Sequence, residues 1–190
     1  MAVVLLFLHR EKILTAMRKI TAIILLAAGA MAALQSCAVN RQEAGNQKDS
    51  NMEQLTLTTE WDKTFPQSDK VVHSKVTFVN RYGITLAADM YVPENAEGRL
   101  PAIAVSGPFG AVKEQCSGLY AQTLAEMGFL TIAFDPSFTG ESGGQPRYVA
   151  SPDINTEDFS AAVDFLSTND MVDPERIGIL GICGWGGLAV

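Results

Sequence analysis

A chain of 190 residues with 47% apolar and 18% charged side chains has room for one domain with its own core and a leader. The formal net charge is -7, and the stretch before Cys37 holds four basic residues and one acidic one, leaving 10 basic and 20 acidic side chains in the remainder. A body this acidic repels phosphate backbones and argues against a nucleic-acid partner. Three cysteines (Cys37, Cys116, Cys183) and two histidines (His9, His73), in no ligand spacing, argue against a metal site, and no cofactor is expected.

Residues 1–37 read as a targeting leader. Arg18-Lys19 supplies the positive region, and Ile20 to Leu34 is an apolar run too short to span a bilayer comfortably as a helix. Met17 directly precedes Arg18 and is a second candidate start. Leu34-Gln35-Ser36-Cys37 resembles a bacterial lipobox, with Gln35 larger than the pattern prefers. The resemblance implies acylation of Cys37, export to the bacterial cell envelope and a membrane partner through a lipid anchor. A periplasmic or secreted protein with a plain signal is the alternative. Residues 38–58 are polar and without periodicity, as expected of a flexible tether, and 59–190 would then be the domain.

Along the body, Val71 to Val79 and Ile84 to Val92 read as two strands joined by a turn at Asn80-Arg81-Tyr82-Gly83. Pro101 to Ser106 is a short apolar run, the pattern of a strand buried on both faces. Ser117 to Met127 is expected to be a helix with Tyr120, Leu124 and Met127 on one face, stopped at Gly128. Phe129 to Phe134 is another buried strand. Asp135 to Asn155 reads as loop, and Thr156 to Ser167 as a helix with Phe159, Ala162, Val163 and Leu166 on one face. Asp173 to Arg176 reads as a turn before a last strand, Ile177 to Ile182, expected to leave an open sheet edge. Apolar strands alternating with amphipathic helices imply an α/β fold: a mostly parallel sheet with an N-terminal antiparallel hairpin and helices on both faces. Its ligand edge carries residues 106–117, 135–147 and 183–187.

These three segments together resemble the α/β-hydrolase superfamily, most closely its dienelactone hydrolase-like members, over about residues 70–190. Ser106 to Gln115 resembles the loop that lends a backbone N–H to the oxyanion hole. Pro108 has no N–H, so Phe109 is the expected donor. Phe134 to Gly144 resembles the loop after the next strand. Gly181-Ile182-Cys183-Gly184-Trp185-Gly186-Gly187 resembles the nucleophile elbow, in which the nucleophile sits on a sharp strand-to-helix turn between small residues and the next N–H, here that of Gly184, faces the oxyanion. Two registers remain open. Anchored on Gly181, Cys183 is the nucleophile and Trp185 takes a position that wants a small residue. Anchored on Gly186-Gly187, Trp185 stands where the nucleophile belongs and the site is dead.

The resemblance implies hydrolysis of a small ester or related acyl compound. Its acid and histidine follow the elbow, and none stands between the elbow and Val190. The chain therefore reads as the N-terminal half of such a domain, inactive by itself. A non-catalytic binding relative or a truncated product is the alternative. His73 reads as a strand residue and not as a base, and Lys113 with Glu114 as a loop ion pair.

Overall fold

The computed structural model describes residues 3–7 and 54–190, all within one compact unit. Six strands form one sheet: β1 (Val3–Phe7), β2 (Val71–Val79), β3 (Thr85–Pro93), β4 (Leu100–Ser106), β5 (Leu130–Phe134) and β6 (Val172–Ile182), in the order β1-β6-β4-β5-β3-β2. The parallel part is β6-β4-β5; β3 joins β5 antiparallel, β2 joins β3 as a hairpin, and β1 joins β6 antiparallel. Residues 3–7, part of the expected leader, thus pair with the edge expected to stay open. Cys37, Met17 and most of the tether lie outside the described residues. Among the described residues no helix is long and apolar enough to cross a membrane.

Two helices cover the sheet: α1 (Cys116–Glu126) and α2 (Pro152–Ser167). The β4–α1–β5 crossover steps one way along the sheet, and β5–α2–β6 steps back past β4. Because both crossovers are right-handed units, the helices must lie on opposite faces. The core divides accordingly. Tyr91, Ile103, Val105, Ala133 and Leu180 pack under α1; Ile132, Phe134 and Trp185 pack against Phe159 and Leu166 of α2. The Phe134 and Phe159 rings meet edge to face at 5.1 Å, a geometry worth about 0.5–1.5 kcal/mol beyond area burial.

Three local expectations are corrected. In α1 the buried face is Ser117, Gly118, Ala121, Gln122 and Ala125, while Tyr120 and Leu124 are half-buried and Met127 is 69% exposed. Small side chains face inward, and at Gly118 the fit against the preceding loop is tight: a Cβ there would meet the Lys113 carbonyl at 2.3 Å. Helix α2 begins at Pro152, inside the expected loop, since proline suits the first helical position and Asp153 favours the positive helix end. Asp173 to Arg176 is an irregularity inside β6, not a turn before it: Leu100 pairs with Val172 and Ala102 with Ile177. The extra residues curl around the Asp173 carboxylate, which accepts from Glu175 N–H and Arg176 Nε.

The segment before β2 is also tied down. Thr58 N–H donates to Glu141, Thr64 N–H to the Glu114 carbonyl, and the Trp61 indole N–H to the Phe65 carbonyl. These bonds put Trp61 and Phe65 at the α1 side of the sheet.

Candidate active site

Ser106 pairs with Gly181 and Val105 with Ala133, so β4, β5 and β6 end level and their following loops meet at one edge. The chain leaves β6 through a turn at Cys183, the first residue of a short 3-10 turn, Cys183–Gly187. Cys183 is exposed and takes φ 60°, a left-handed conformation costing a non-glycine residue about 1–3 kcal/mol. Gly181 makes the turn feasible: a Cβ there would lie 2.3 Å from the Trp185 carbonyl oxygen. The close approach across the elbow is therefore between Gly181 and the Trp185 main chain. The Trp185 side chain turns inward, 1% exposed, against Phe159 at 5.7 Å and Phe109 at 5.5 Å. A bulky residue two after Cys183 is tolerated for that reason. The turn centres on Cys183, and Trp185 belongs to the core.

The loop after β4 packs directly on this turn. Gly107 takes φ 100°, and a Cβ there would lie 2.5 Å from the Ile182 carbonyl oxygen and 2.7 Å from the Trp185 ring. Phe109, half exposed, lays its ring against Gly184, where a Cβ would come within 2.4 Å of it. The Phe109 N–H makes no hydrogen bond among the described residues. The two residues expected to supply oxyanion N–H groups are thus neighbours beside Cys183. Cys116 lies behind the loop with its thiol 3.7 Å from the Gly107 carbonyl. Burial pushes that thiol up, and Cys183 nearby adds to the effect.

Lys113 is wholly buried, and its part exceeds the expected ion pair. Its Nζ reaches Glu114 at 2.5 Å, Asp135 at 2.8 Å and Glu141 at 2.8 Å, and Lys75 joins Glu141 at 2.5 Å. The Asp135 carboxylate also accepts Lys113 N–H at 2.8 Å and Glu141 N–H at 2.9 Å, tying the post-β4 loop to the post-β5 loop. Burial acts to lower Lys113, but the Asp135 charge and the carboxylate hydrogen bonds outweigh it and hold the ammonium well above its usual range. Burial pushes Asp135 up, with Lys113 pulling back. The carboxylates of Asp62, Glu114 and Glu141 converge, and each is already paired with a lysine.

A second buried hub is Asp158 of α2. It accepts from Asn80 Nδ2 at 2.9 Å, Ser137 Oγ at 2.7 Å, Ser137 N–H at 2.8 Å and Asn155 Nδ2 at 3.1 Å. Burial pushes its carboxyl up and these bonds pull it back. Neither hub was read from the sequence. Asn80 and Asp158 are 78 positions apart, and no local spacing signals such a pair.

His73 sits on β2 with its Nε2 2.8 Å from the carboxylate of buried Asp89, which accepts the bond and also pairs with Lys63 at 3.1 Å. The ladder runs His73–Tyr91–Thr131–Ile103–Gly178 across the sheet. His73 therefore lies four strand spacings from β6, about 19 Å, and level with a residue five before Cys183, about 16 Å further along. It does not reach the elbow.

Between the two loops lies a cavity of ≈ 390 Å³, walled in part by Phe109 and Trp185. With this arrangement in view, the comparison with known proteins is specific. Residues 82–190, more than half of the chain, match the family model described as X-Pro dipeptidyl-peptidase (S15 family). The chain belongs to this family. It is 68% identical over 166 residues to uncharacterized protein PA2218 of Pseudomonas aeruginosa, covering 86% of this chain and 44% of that protein. The crystal structure of PA2218 superposes with a TM-score of 0.70, covering 72% of this chain and 43% of that one. Thiohydrolase aneE of Aspergillus aculeatus is 34% identical over 123 residues, covering 65% of this chain and 38% of that protein. A solved structure described as alpha/beta hydrolase GrgF, from a Penicillium species, is 27% identical with a TM-score of 0.57, covering 62% of this chain and 39% of that one. The fold is that of an α/β-hydrolase, present in part, and the chain spans less than half the length of these relatives.

Proposed function

We propose that the protein is a hydrolase of small esters or thioesters in which Cys183 is the nucleophile. The observation that carries this reading is Cys183 itself, an exposed thiol held at φ 60° at the end of β6. Strain of this kind persists only where the surroundings enforce it, and here Gly181 and Gly107 are both packed too tightly for a side chain. In the reaction the Cys183 thiol gives up its proton to solvent and its sulfur attacks the acyl carbonyl carbon. The carbonyl oxygen becomes an oxyanion that accepts hydrogen bonds from Phe109 N–H and Gly184 N–H, and the alkoxide or thiolate leaves, taking up a proton. The resulting S-acyl enzyme is then hydrolysed. That second step needs a base to activate water, and the described residues bring no histidine to Cys183. Acylation is accordingly the step to measure.

The cysteine elbow supports a place near the dienelactone hydrolase-like members, and the thiohydrolase relative supports a thioester among the substrates. We further propose that the mature protein is held at the bacterial cell envelope by a lipid on Cys37, on the strength of the order Arg18-Lys19, apolar run, Ser36-Cys37.

The test is intact-mass analysis of the full chain after incubation with a p-nitrophenyl ester. One acyl adduct, mapped to Cys183 and missing in Cys183→Ala, supports the mechanism. An adduct that survives Cys183→Ala, or that maps to Cys116, overturns it.

A further inference from the structure

The ≈ 390 Å³ cavity opens between the loop after β4 and the loop after β5. Its apolar walls are Phe109, Val112, Pro136, Tyr148, Val149 and Trp185. Two of these fix its relation to the elbow. Trp185 is two residues from Cys183, and Phe109 lies against Gly184. The polar groups of the wall are those of Thr139 and Asn155, the Tyr148 hydroxyl and the buried Trp185 indole N–H, which has no partner among the described residues, and the Asn155 amide is already engaged at both ends, by Ser151 N–H and by Asp158. Among the described residues no charged side chain lines the cavity.

From this we infer that the cavity is the acyl pocket of the Cys183 site and selects an uncharged, medium-length apolar acyl group. The inference rests on the proposed acylation of Cys183 and adds the substrate class. An engineered cavity of about 150 Å³ takes benzene, or about 25 Å³ per heavy atom. A cavity of ≈ 390 Å³ on that scale holds about ten to fifteen heavy atoms, fewer where it opens to solvent. An acyl chain of about nine to fourteen carbons fills it by this measure, an octanoyl group fills more than half of it, an acetyl group leaves it wet, and a hexadecanoyl chain overruns it.

The missing charges select as strongly as the volume does. An acyl group ending in a carboxylate meets no lysine or arginine in the wall. The free ammonium of an unblocked dipeptide meets no aspartate or glutamate. Either ion would be desolvated without a partner, and a site that leaves a charge unpaired rejects it by much more than a missing methylene costs. The charged groups nearby do not relieve this, because Lys113 and Glu141 are committed to their own network. Among the described residues, then, this cavity suits neither a peptide N-terminus nor an anionic acyl group.

The experiment is the rate of acylation of the full chain by p-nitrophenyl acetate, butyrate, octanoate and hexadecanoate, with the succinate half-ester as the charged member, read by intact mass and by p-nitrophenol release. Octanoate should react about tenfold or more faster than acetate. Hexadecanoate should fall below octanoate, and the succinate half-ester below butyrate. Val149→Trp, a substitution at a half-exposed wall position, should lower the octanoate-to-acetate ratio by about tenfold. Cys183→Ala separates the two readings. If acylation needs Cys183 but shows no chain-length optimum, or tolerates succinate, the pocket inference is overturned and the nucleophile stands. If no ester acylates Cys183, the nucleophile reading fails first, and the pocket inference falls with it.

Discussion

Lys113→Met should cost about 3–5 kcal/mol of folding stability near pH 7.5, the range for removing one member of a buried ion pair. Both Lys113 and Asp135 are 0% exposed. At a separation of 2.8 Å and an effective dielectric constant of about 20, their attraction is about 6 kcal/mol before desolvation. Desolvation offsets most of that in the wild type, so the intact pair adds little net stability. The loss is larger than the net because Asp135 stays behind, still committed to Lys113 N–H and Glu141 N–H. For a chain of this length the change corresponds to a fall in Tm of about 6–20 °C. The pH dependence is the sharper check. Burial already holds Asp135 above its ordinary 3.8, and without Lys113 it rises further. A carboxyl raised in the folded state disfavours folding fully above its folded pKa, and the disfavour fades as pH falls toward 3.8. The gap between wild type and Lys113→Met should therefore narrow from pH 7.5 to pH 5. Urea unfolding followed by tryptophan fluorescence, with Trp185 in the core, measures both quantities. A loss under about 1 kcal/mol at pH 7.5, well below the buried-pair range, or a gap that widens with acid, would refute the reasoning.

Gly181→Ala should destabilise by about 1–3 kcal/mol, as overpacking does, because the added Cβ meets the Trp185 main chain at 2.3 Å and cannot be relieved by a rotamer. Thermal melts and the rate of Cys183 alkylation should both change, and two unchanged values would remove the elbow argument. Glu141 is held at about 2: burial raises it, but hydrogen bonds from Lys113 and Lys75 more than offset that. A depressed carboxylate contributes stability above its ordinary 4.5 that is lost as pH falls toward 2. The stability difference between wild type and Glu141→Gln, present at pH 6, should thus shrink below pH 4.5; a constant difference down to pH 3 contradicts the assignment. Palmitate should label the wild type and not Cys37→Ser, and equal labelling would end the lipid-anchor proposal.

Much of the fold follows from local chemistry. The apolar runs ending at Ser106, Phe134 and Ile182 have the pattern of strands buried on both faces, and the amphipathic stretches between them favour right-handed crossovers. The resemblance of Gly181 to Gly187 to a nucleophile elbow likewise implies a tight turn after the last strand, with its centre left open between Cys183 and Trp185. Other features depend on distance, which hydrophobic periodicity does not encode. Tyr120, Leu124 and Met127 have the right period, yet α1 turns Ala121 and Ala125 to the sheet because close packing favours small side chains there. Trp185 is too large for an elbow position by its sequence, and only the fold takes its side chain out of the turn and into the core between Phe109 and Phe159. The pairing of residues 3–7 with β6 joins positions at opposite ends of the chain. Lys113 reads from the sequence as half of a loop ion pair with Glu114. Only the tertiary structure brings Asp135 and Glu141 around it, because the sheet carries β4 and β5 side by side and so brings their following loops into contact.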